Sequence, residues 1–554
     1  MSERHSGPTP GPVSGPASGA SQPYTYPLPA GAAQTGPGEV TLSDDPEGRT
    51  PAGRRRPVLL VGAVVAALAL GGGGALAVQK LSGSGSQPAE VLPGDAYAYV
   101  RLDINPSAGQ KIAAVRFLGK LPQVKDTLDS GDPRKKLWEL ASKDASNACL
   151  AKFSYDNDIA PWLGDRVGFA VRPGGTEKAP NLAVAIQVKD EAAAKDTLTR
   201  LLACDNGSSK GEVRMKDGYA IVTPAGVGDA TLAAVDKGSL AANPTFTQDM
   251  AALGEQGVMS GWFDMGRGAK ELVKLGGTSG LGALGGMDGM GSSMGGLGSL
   301  TGAANAKGRS AMALRFEADY VELAAISRGL DGTKAVKGNG SELASLPANT
   351  MGALNISGGD QMLKNGWANV EKQLQTLGSS GTGSPDFVGE IEQQLGIALP
   401  DDLALLLGRS FTLALPVQAL DAGAPTVGAK VVSDDAKGAD ALVGRLLQRF
   451  GAPNDLLTHK VAGDKLFVAT KPGYADDLQG GGKLGDSDAF KLAVGDVSNA
   501  NLSMFVDLDK VDQLVKGQVH GEAESFLESL RAVGLNASNT GNGEGTFTLR
   551  LVGN

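Results

Sequence analysis

The chain has 554 residues, too long for one ordinary domain, with 81 Gly and a net charge of -9. That balance offers no basic footprint for a phosphate backbone, so nucleic acid is not expected as a partner. Three His and two Cys exclude cysteine-rich zinc modules and a dense disulfide scaffold.

Residues 1–56 form a Pro/Gly-rich tail with 10 Pro and 9 Gly in the first 53 positions. It lacks the apolar residues needed for a core, and disorder is expected. After Arg54, Arg55 and Arg56, the stretch Val58–Val78 carries no charge over 21 residues. At a rise of 1.5 Å that is about 31 Å, enough to cross a hydrocarbon core of about 30 Å. A transmembrane helix is therefore expected over 57–80. The arginine cluster on the N-terminal side, against Lys80 alone on the other, predicts a cytoplasmic tail. A cleaved signal peptide is the competing reading, since Ala75-Leu76-Ala77 imitates a cleavage site. The leader and the apolar core are both long for a standard signal, and an uncleaved signal anchor fits better.

Residues 81–90 read as a flexible tether, followed by globular composition to the C-terminus. The exported part holds 45 basic and 55 acidic residues, a net of -10. Cys149 and Cys204 would lie in an oxidising compartment, where pairing is permitted. Two separate buried thiols are the alternative.

The exported part reads as two related α+β copies, 91–330 and 343–554. Leu92-Pro93 introduces Ala96–Leu102 as Leu346-Pro347 introduces Thr350–Ile356. Leu163-Gly164-Asp165 returns as Leu407-Gly408-Arg409, an offset of 244, which also carries Val188, Asp190, Asp196 and Leu198 onto Val432, Asp434, Asp440 and Leu442. Aspartates at that junction are placed to cap a helix. Asp217–Thr223 matches Asp464–Thr470, and Ser260 with Asp264 matches Ser503 with Asp507. Helices are expected near 107–130 and 360–396, with strands grouped in hairpins and a mainly antiparallel sheet in each copy. Leu182–Val188 is apolar at nearly every position, so both sheet faces should be covered.

The first copy contains a Gly/Met/Leu-rich loop over 276–308, with 11 Gly in residues 276–300. It is expected to be disordered in water, because glycine costs about 1 kcal/mol per helical residue relative to alanine. The second copy has the amphipathic stretch Phe526–Val533 in its place.

Catalytic patterns fail on context. Gly280–Gly285 imitates a dinucleotide fingerprint and Gly291–Gly295 a hydrolase elbow, neither in a strand-turn-helix setting. His459 and His520 are unpaired with other histidines, and Asp156-Asn157-Asp158 and Asp507, Asp509 and Asp512 lack a calcium-loop pattern. These carboxylates read as turns and helix caps. No catalytic, cofactor-binding or metal-binding residue is expected, and no cofactor.

The tail, the single span, the Leu-Pro strand starts and Pro161-Trp162-Leu163-Gly164-Asp165 together resemble the bacterial domain-of-unknown-function family 3352 over roughly residues 88–554. The second copy departs from that pattern, with Asp401-Asp402 after Pro400 and no Trp between Pro400 and Leu407. The resemblance implies an exported, membrane-tethered protein of GC-rich bacteria, with no activity or site residues to transfer. The sequence thus points to a non-enzymatic, membrane-anchored binding or scaffolding protein with an envelope protein or lipid partner. An apolar-ligand or lipid carrier, and a hydrolase with carboxylates assembled by the fold, are the alternatives.

Overall fold

The computed structural model describes residues 86–121, 152–176, 179–204, 211–274, 307–330, 336–381, 386–418, 425–453, 456–541 and 543–554, with positions 134, 135, 138 and 142. Every described residue belongs to one compact unit within Arg55–Asn554. The expected tail, the span 57–80 and residues 276–306 of the Gly/Met/Leu-rich loop lie outside the described residues. Among the described residues no helix is long and apolar enough to cross a membrane.

The first half runs β1 (Ala98–Asp103), α1 (Ala108–Leu118), β2 (Leu163–Thr176), β3 (Ala179–Val188), α2 (Glu191–Ala203), β4 (Gly211–Lys216), β5 (Tyr219–Pro224), α3 (Gly228–Lys237), α4 (Pro244–Leu253), β6 (Met259–Asp264), α5 (Met265–Lys274), β7 (Arg309–Phe316) and β8 (Tyr320–Arg328). The second half begins with α6 (Ser341–Ala344), β9 (Thr350–Ser357), α7 (Gly359–Gly381), α8 (Phe387–Leu395), α9 (Asp401–Leu407), β10 (Ser410–Pro416), β11 (Gly428–Val432) and α10 (Ala436–Arg449). It closes with β12 (Thr458–Ala462), β13 (Lys465–Ala469), α11 (Pro472–Gly480), α12 (Asp488–Ala493), β14 (Leu502–Asp507), α13 (Leu508–Val515), α14 (Glu522–Glu528), β15 (Leu530–Gly541) and β16 (Glu544–Gly553).

All these strands join one 16-stranded sheet, rather than a separate sheet in each half. From its outer edge the first half reads β4-β5-β3-β2-β1-β6-β7-β8, and the second β12-β13-β11-β10-β9-β14-β15-β16. Ladder position by ladder position the order is the same, and β8 pairs antiparallel with β16 to join the halves. Ala183–Val188 and Gly428–Val432 both lie on the third strand from an edge.

Local chemistry sets many of these elements. Asp217 and Gly218 both have positive φ, 47° and 77°, the primed turn that matches the twist of the β4–β5 hairpin. Asp264 accepts from the Arg267 amide at 3.0 Å to start α5, and Asp507 accepts from the Lys510 amide at 3.1 Å to start α13. Asp190 caps α2 as expected, receiving the Ala192 and Ala193 amides. In the second half the cap is Asp435, not Asp434: Asp435 accepts from Gly438 at 2.8 Å, while Asp434 is drawn to Arg409 at 2.9 Å. The amphipathic stretch expected at Phe526–Val533 is also divided. Helix α14 stops at Glu528 and Leu530 starts β15, because sheet pairing with β16 and β14 overrides the helical pattern.

Both faces of β3 are covered. Leu182, Val184 and Ile186 meet α2 through Leu198 and Leu201, while Ala183 and Ala185 turn to the opposite core with Ile221 and Leu240. That second, alanine-rich face extends through Ala311, Ala313 and Ala324 in the first half, packed under Phe246, Met250 and Leu253 of α4. In the second half Ala353, Ala414 and Ala532 pack with Phe490 of α12 and Tyr474 of α11. The same ring pair recurs: Phe246 lies 5.6 Å from Trp262, and Phe490 lies 5.3 Å from Phe505.

Candidate functional site

Side chains directly opposite in an antiparallel ladder share a face, so register alone builds the opposite, leucine-rich face across the middle of the sheet. One row consists of Leu314, Leu323, Leu549, Leu535, Met504 and Leu354, taken from β7, β8, β16, β15, β14 and β9. Two residues along, the next is Met312, Ala325, Phe547, Ala537, Leu502 and Ile356. On the other side of the first row lie Phe316, Val321, Leu551, Val533, Val506 and Gly352. Six strands about 4.8 Å apart make this surface about 24 Å wide, and three rows make it about 14 Å deep.

The two rows named first are half-buried and belong to none of the buried apolar clusters of the described residues. On the alanine-rich face, neighbours such as Ala313, Phe505 and Ala532 are at 0% exposure, whereas Asn536, Thr548 and Arg550 are half-buried. Cores hold the borders. Val167 and Phe169 pack into the α2 core on one flank, and Phe411 packs with Leu405 of α9 and Val443 of α10 on the other. At one end Phe117 and Leu118 of α1 join Leu508 of α13, Phe316, Val321 and Leu551. Among the described residues the result is an apolar trough bordered by packed helices on both flanks and at one end.

Behind the trough, on the alanine-rich face, the joint between the halves is polar. Glu322 takes Arg315 Nε at 2.7 Å and Arg550 Nε at 2.8 Å, and Arg550 lies over the Tyr320 ring at 4.6 Å. Beside it Asp496, Asn499, Asn536, Ser538, Thr548 and Arg550 line a cavity of about 240 Å³.

Elsewhere the titratable groups are arranged as structural pairs. Lys430, buried under α6, meets Glu342 at 2.7 Å and Ser345 Oγ at 2.8 Å, and Lys465 holds the same carboxylate at 2.9 Å. Burial disfavours the Glu342 carboxylate, but the two ammonium groups outweigh it and hold its pKa below the ordinary value. Burial pushes the Lys430 ammonium down against the pull of Glu342. An ammonium engaged by a carboxylate is a poor base for Ser345. His459 Nδ1 lies 2.6 Å from Asp440 Oδ1 on α10, and His520 is exposed. Asp158 bonds the Ser154 amide in a turn and Asp507 caps α13, the roles expected of those carboxylates. Among the described residues no group of three or more His, Cys, Asp or Glu is placed to hold a metal ion.

Cys204 ends α2, buried and with no free thiol. Cys149 lies outside the described residues, as do Arg54, Arg55 and Arg56 and both glycine motifs at 280–295. The trough escaped sequence reasoning because its rows draw one side chain from each of six strands. Alternation in segments such as Leu502-Ser503-Met504-Phe505-Val506, apolar at nearly every position, was its signal.

Comparison with known proteins adds a resemblance over part of the chain. Residues 58–249 match the family model described as a protein of unknown function, DUF3352. The match begins at the uncharged stretch and ends within α4, so it is narrower at the C-terminal side than the resemblance read from the sequence. It supplies no activity and no site residues. No curated protein and no solved structure matches the chain.

Proposed function

We propose that this protein binds an acyl lipid while anchored to the outer side of the cytoplasmic membrane, acting as a binder rather than an enzyme. The observation that carries this reading is the trough: three apolar rows over six strands, half-buried at the centre. Its width of about 24 Å exceeds the roughly 15 Å of one leaflet's hydrocarbon, so an extended chain has room. In this reading the span 57–80 is the anchor, with the arginines 54–56 inside. Ser86, whose carbonyl accepts from Tyr219 at 2.6 Å and Arg166 at 3.3 Å, fixes the start of the globular body. Five intervening residues reach at most about 18 Å, which keeps the body at the bilayer.

The test uses the full chain in its own membrane. Cells fed a photoactivatable fatty acid are irradiated and the protein's labelled peptides are mapped. Label on β7, β8 and β14–β16 is expected, with the 57–80 peptide as internal control. Label on 57–80 alone would sink the lipid reading, and protection of the C-terminal half from protease added outside would sink the orientation.

We further infer that the halves descend from one duplicated unit and that Cys149 pairs with Cys204. Supporting the duplication are the shared strand order, the Asp264 and Asp507 caps and the matching contacts of Leu240 with Leu92 and Leu484 with Leu346, at 2.7 and 3.0 Å. Relatives in which the two halves have different strand orders would argue against common descent. For the pairing, a Cys149–Cys204 cross-linked peptide under non-reducing digestion is expected, and two alkylatable thiols would refute it.

A further inference from the structure

The polar cavity behind the trough occupies a place that the other half of the sheet fills with core. Ser260 of β6 and Ser503 of β14 each lie four residues before the aspartate that caps the next helix, and so mark the same level in the two halves. From them the pairing runs Ser260, Ala313, Ala324 in the first half and Ser503, Asn536, Thr548 in the second. Two residues along, Trp262, Ala311 and Ile326 stand where Phe505, Gly534 and Arg550 stand. In the first half these side chains belong to the core that Phe246 and Met250 of α4 close. In the second, Asn536, Thr548 and Arg550 floor the cavity of about 240 Å³. The sheet is thus built equally well with alanine and isoleucine at these positions, and folding does not require their polarity.

Both floor strands are paired on each side, which holds these groups in place. Arg550 spends Nε on Glu322 at 2.8 Å and Nη1 on the Leu492 carbonyl at 3.2 Å, leaving Nη2 to donate. Gly495, at φ 72°, keeps space beside it, since a Cβ there would lie 3.1 Å from Arg550 Nη1. Asn536 donates to the Asp496 carbonyl at 2.5 Å and keeps its Oδ1 to accept. The exposed Asp496 carboxylate takes the Ser498 amide at 2.8 Å and hydroxyl at 3.1 Å, which hold its pKa below the ordinary value. Ser538 and Thr546 share one hydroxyl bond of 2.7 Å, so one hydroxyl hydrogen remains to donate. Neighbouring hydroxyls on a ring each donate and accept, and a carboxylate, an amide or a guanidinium can engage two of them at once. A volume below the roughly 300–1,000 Å³ of drug-sized pockets limits the occupant to about one ring.

We propose that this cavity binds one pyranose ring of a carbohydrate. Asp496 and Asn536 Oδ1 accept from its hydroxyls, while Arg550 Nη2 and the Ser538–Thr546 pair donate to them. The site lies on the opposite face of the sheet from the trough and stands whether or not a lipid binds there.

The experiment is saturation-transfer NMR on the full-length protein in lipid nanodiscs free of glycoside detergents, with the methyl glycosides of glucose, galactose, mannose and N-acetylglucosamine as probes. Saturable transfer to the ring protons of at least one is expected. Asn536→Ala with Thr548→Ala, which gives the floor the residues of the first half, should weaken that binding about tenfold. Thermal melting checks that this variant folds; Asn499→Ala, which alters only an exposed side chain of the lining, replaces it if it melts early and should weaken binding about threefold. No transfer from any of these sugars at about 10 mM, or unchanged transfer in the folded variant, would overturn the proposal. Transfer from glycine or acetate that the sugars do not displace would also overturn it, by assigning the cavity to a zwitterion or an anion.

Discussion

Arg550 and Glu322 face each other across the β8–β16 joint, Nε 2.8 Å from Oε2, although they are 228 positions apart in the chain. Glu322 also binds Arg315, so one carboxylate with 8% side-chain exposure bridges two guanidinium groups. Glu322→Gln should therefore leave adjacent uncompensated cations and cost about 3 kcal/mol. Urea denaturation followed by tryptophan fluorescence checks this, and a loss below about 0.5 kcal/mol, the scale of an exposed pair, would show that the joint does not depend on this ion pair.

The Glu342 cluster gives a pH dependence of known sign. Its folded pKa lies below the ordinary value of 4.5, because Lys430 and Lys465 overcome the cost of burial. The stabilisation is therefore complete above the unfolded pKa and is lost as pH falls through the folded value. Wild type should exceed Glu342→Gln in stability at about pH 6, and the gap should narrow progressively below about pH 4.5. A gap that stays constant down to about pH 3 would contradict the assignment.

Asp434 and Asp435 separate a cap from a surface pair. Asp435→Ala removes the bond to the Gly438 amide and should cost about 1 kcal/mol. Asp434→Ala breaks a pair with Arg409 whose carboxylate is 86% exposed, and should change stability by less than about 0.5 kcal/mol. Equal losses in thermal melts would mean that α10 starts elsewhere.

Phe505 and Leu535 distinguish core from trough on adjacent strands. Phe505→Ala opens a cavity on the alanine-rich face, where the ring is 0% exposed, and should cost about 3 to 5 kcal/mol. Leu535→Ala acts on the half-buried face and should cost less than about 1.5 kcal/mol, while weakening lipid labelling. A Leu535 loss as large as that of Phe505 would make the leucine-rich face ordinary core.

Much of the second-half architecture follows from local signals repeated from the first. The Leu92 and Leu346 strand starts, the Asp264 and Asp507 caps and the apolar run at Leu182–Val188 were legible because each depends on neighbours within a few residues. Where two local signals competed, as at Asp434 and Asp435 or across Phe526–Val533, long-range partners decided: Arg409 took one aspartate, and sheet pairing took Leu530 from the helix.

The sequence by itself determined composition, an uncharged stretch long enough for a bilayer, and a strand pattern that could only settle as α+β, since periodicity and caps are encoded locally. Tertiary structure alone decided that two halves share one sheet, because β8 and β16 could each have remained an edge. It alone also aligned the apolar rows. A one-residue slip at any ladder would move a strand's side chains to the opposite face, so a trough drawn from six strands exists only once every register is fixed.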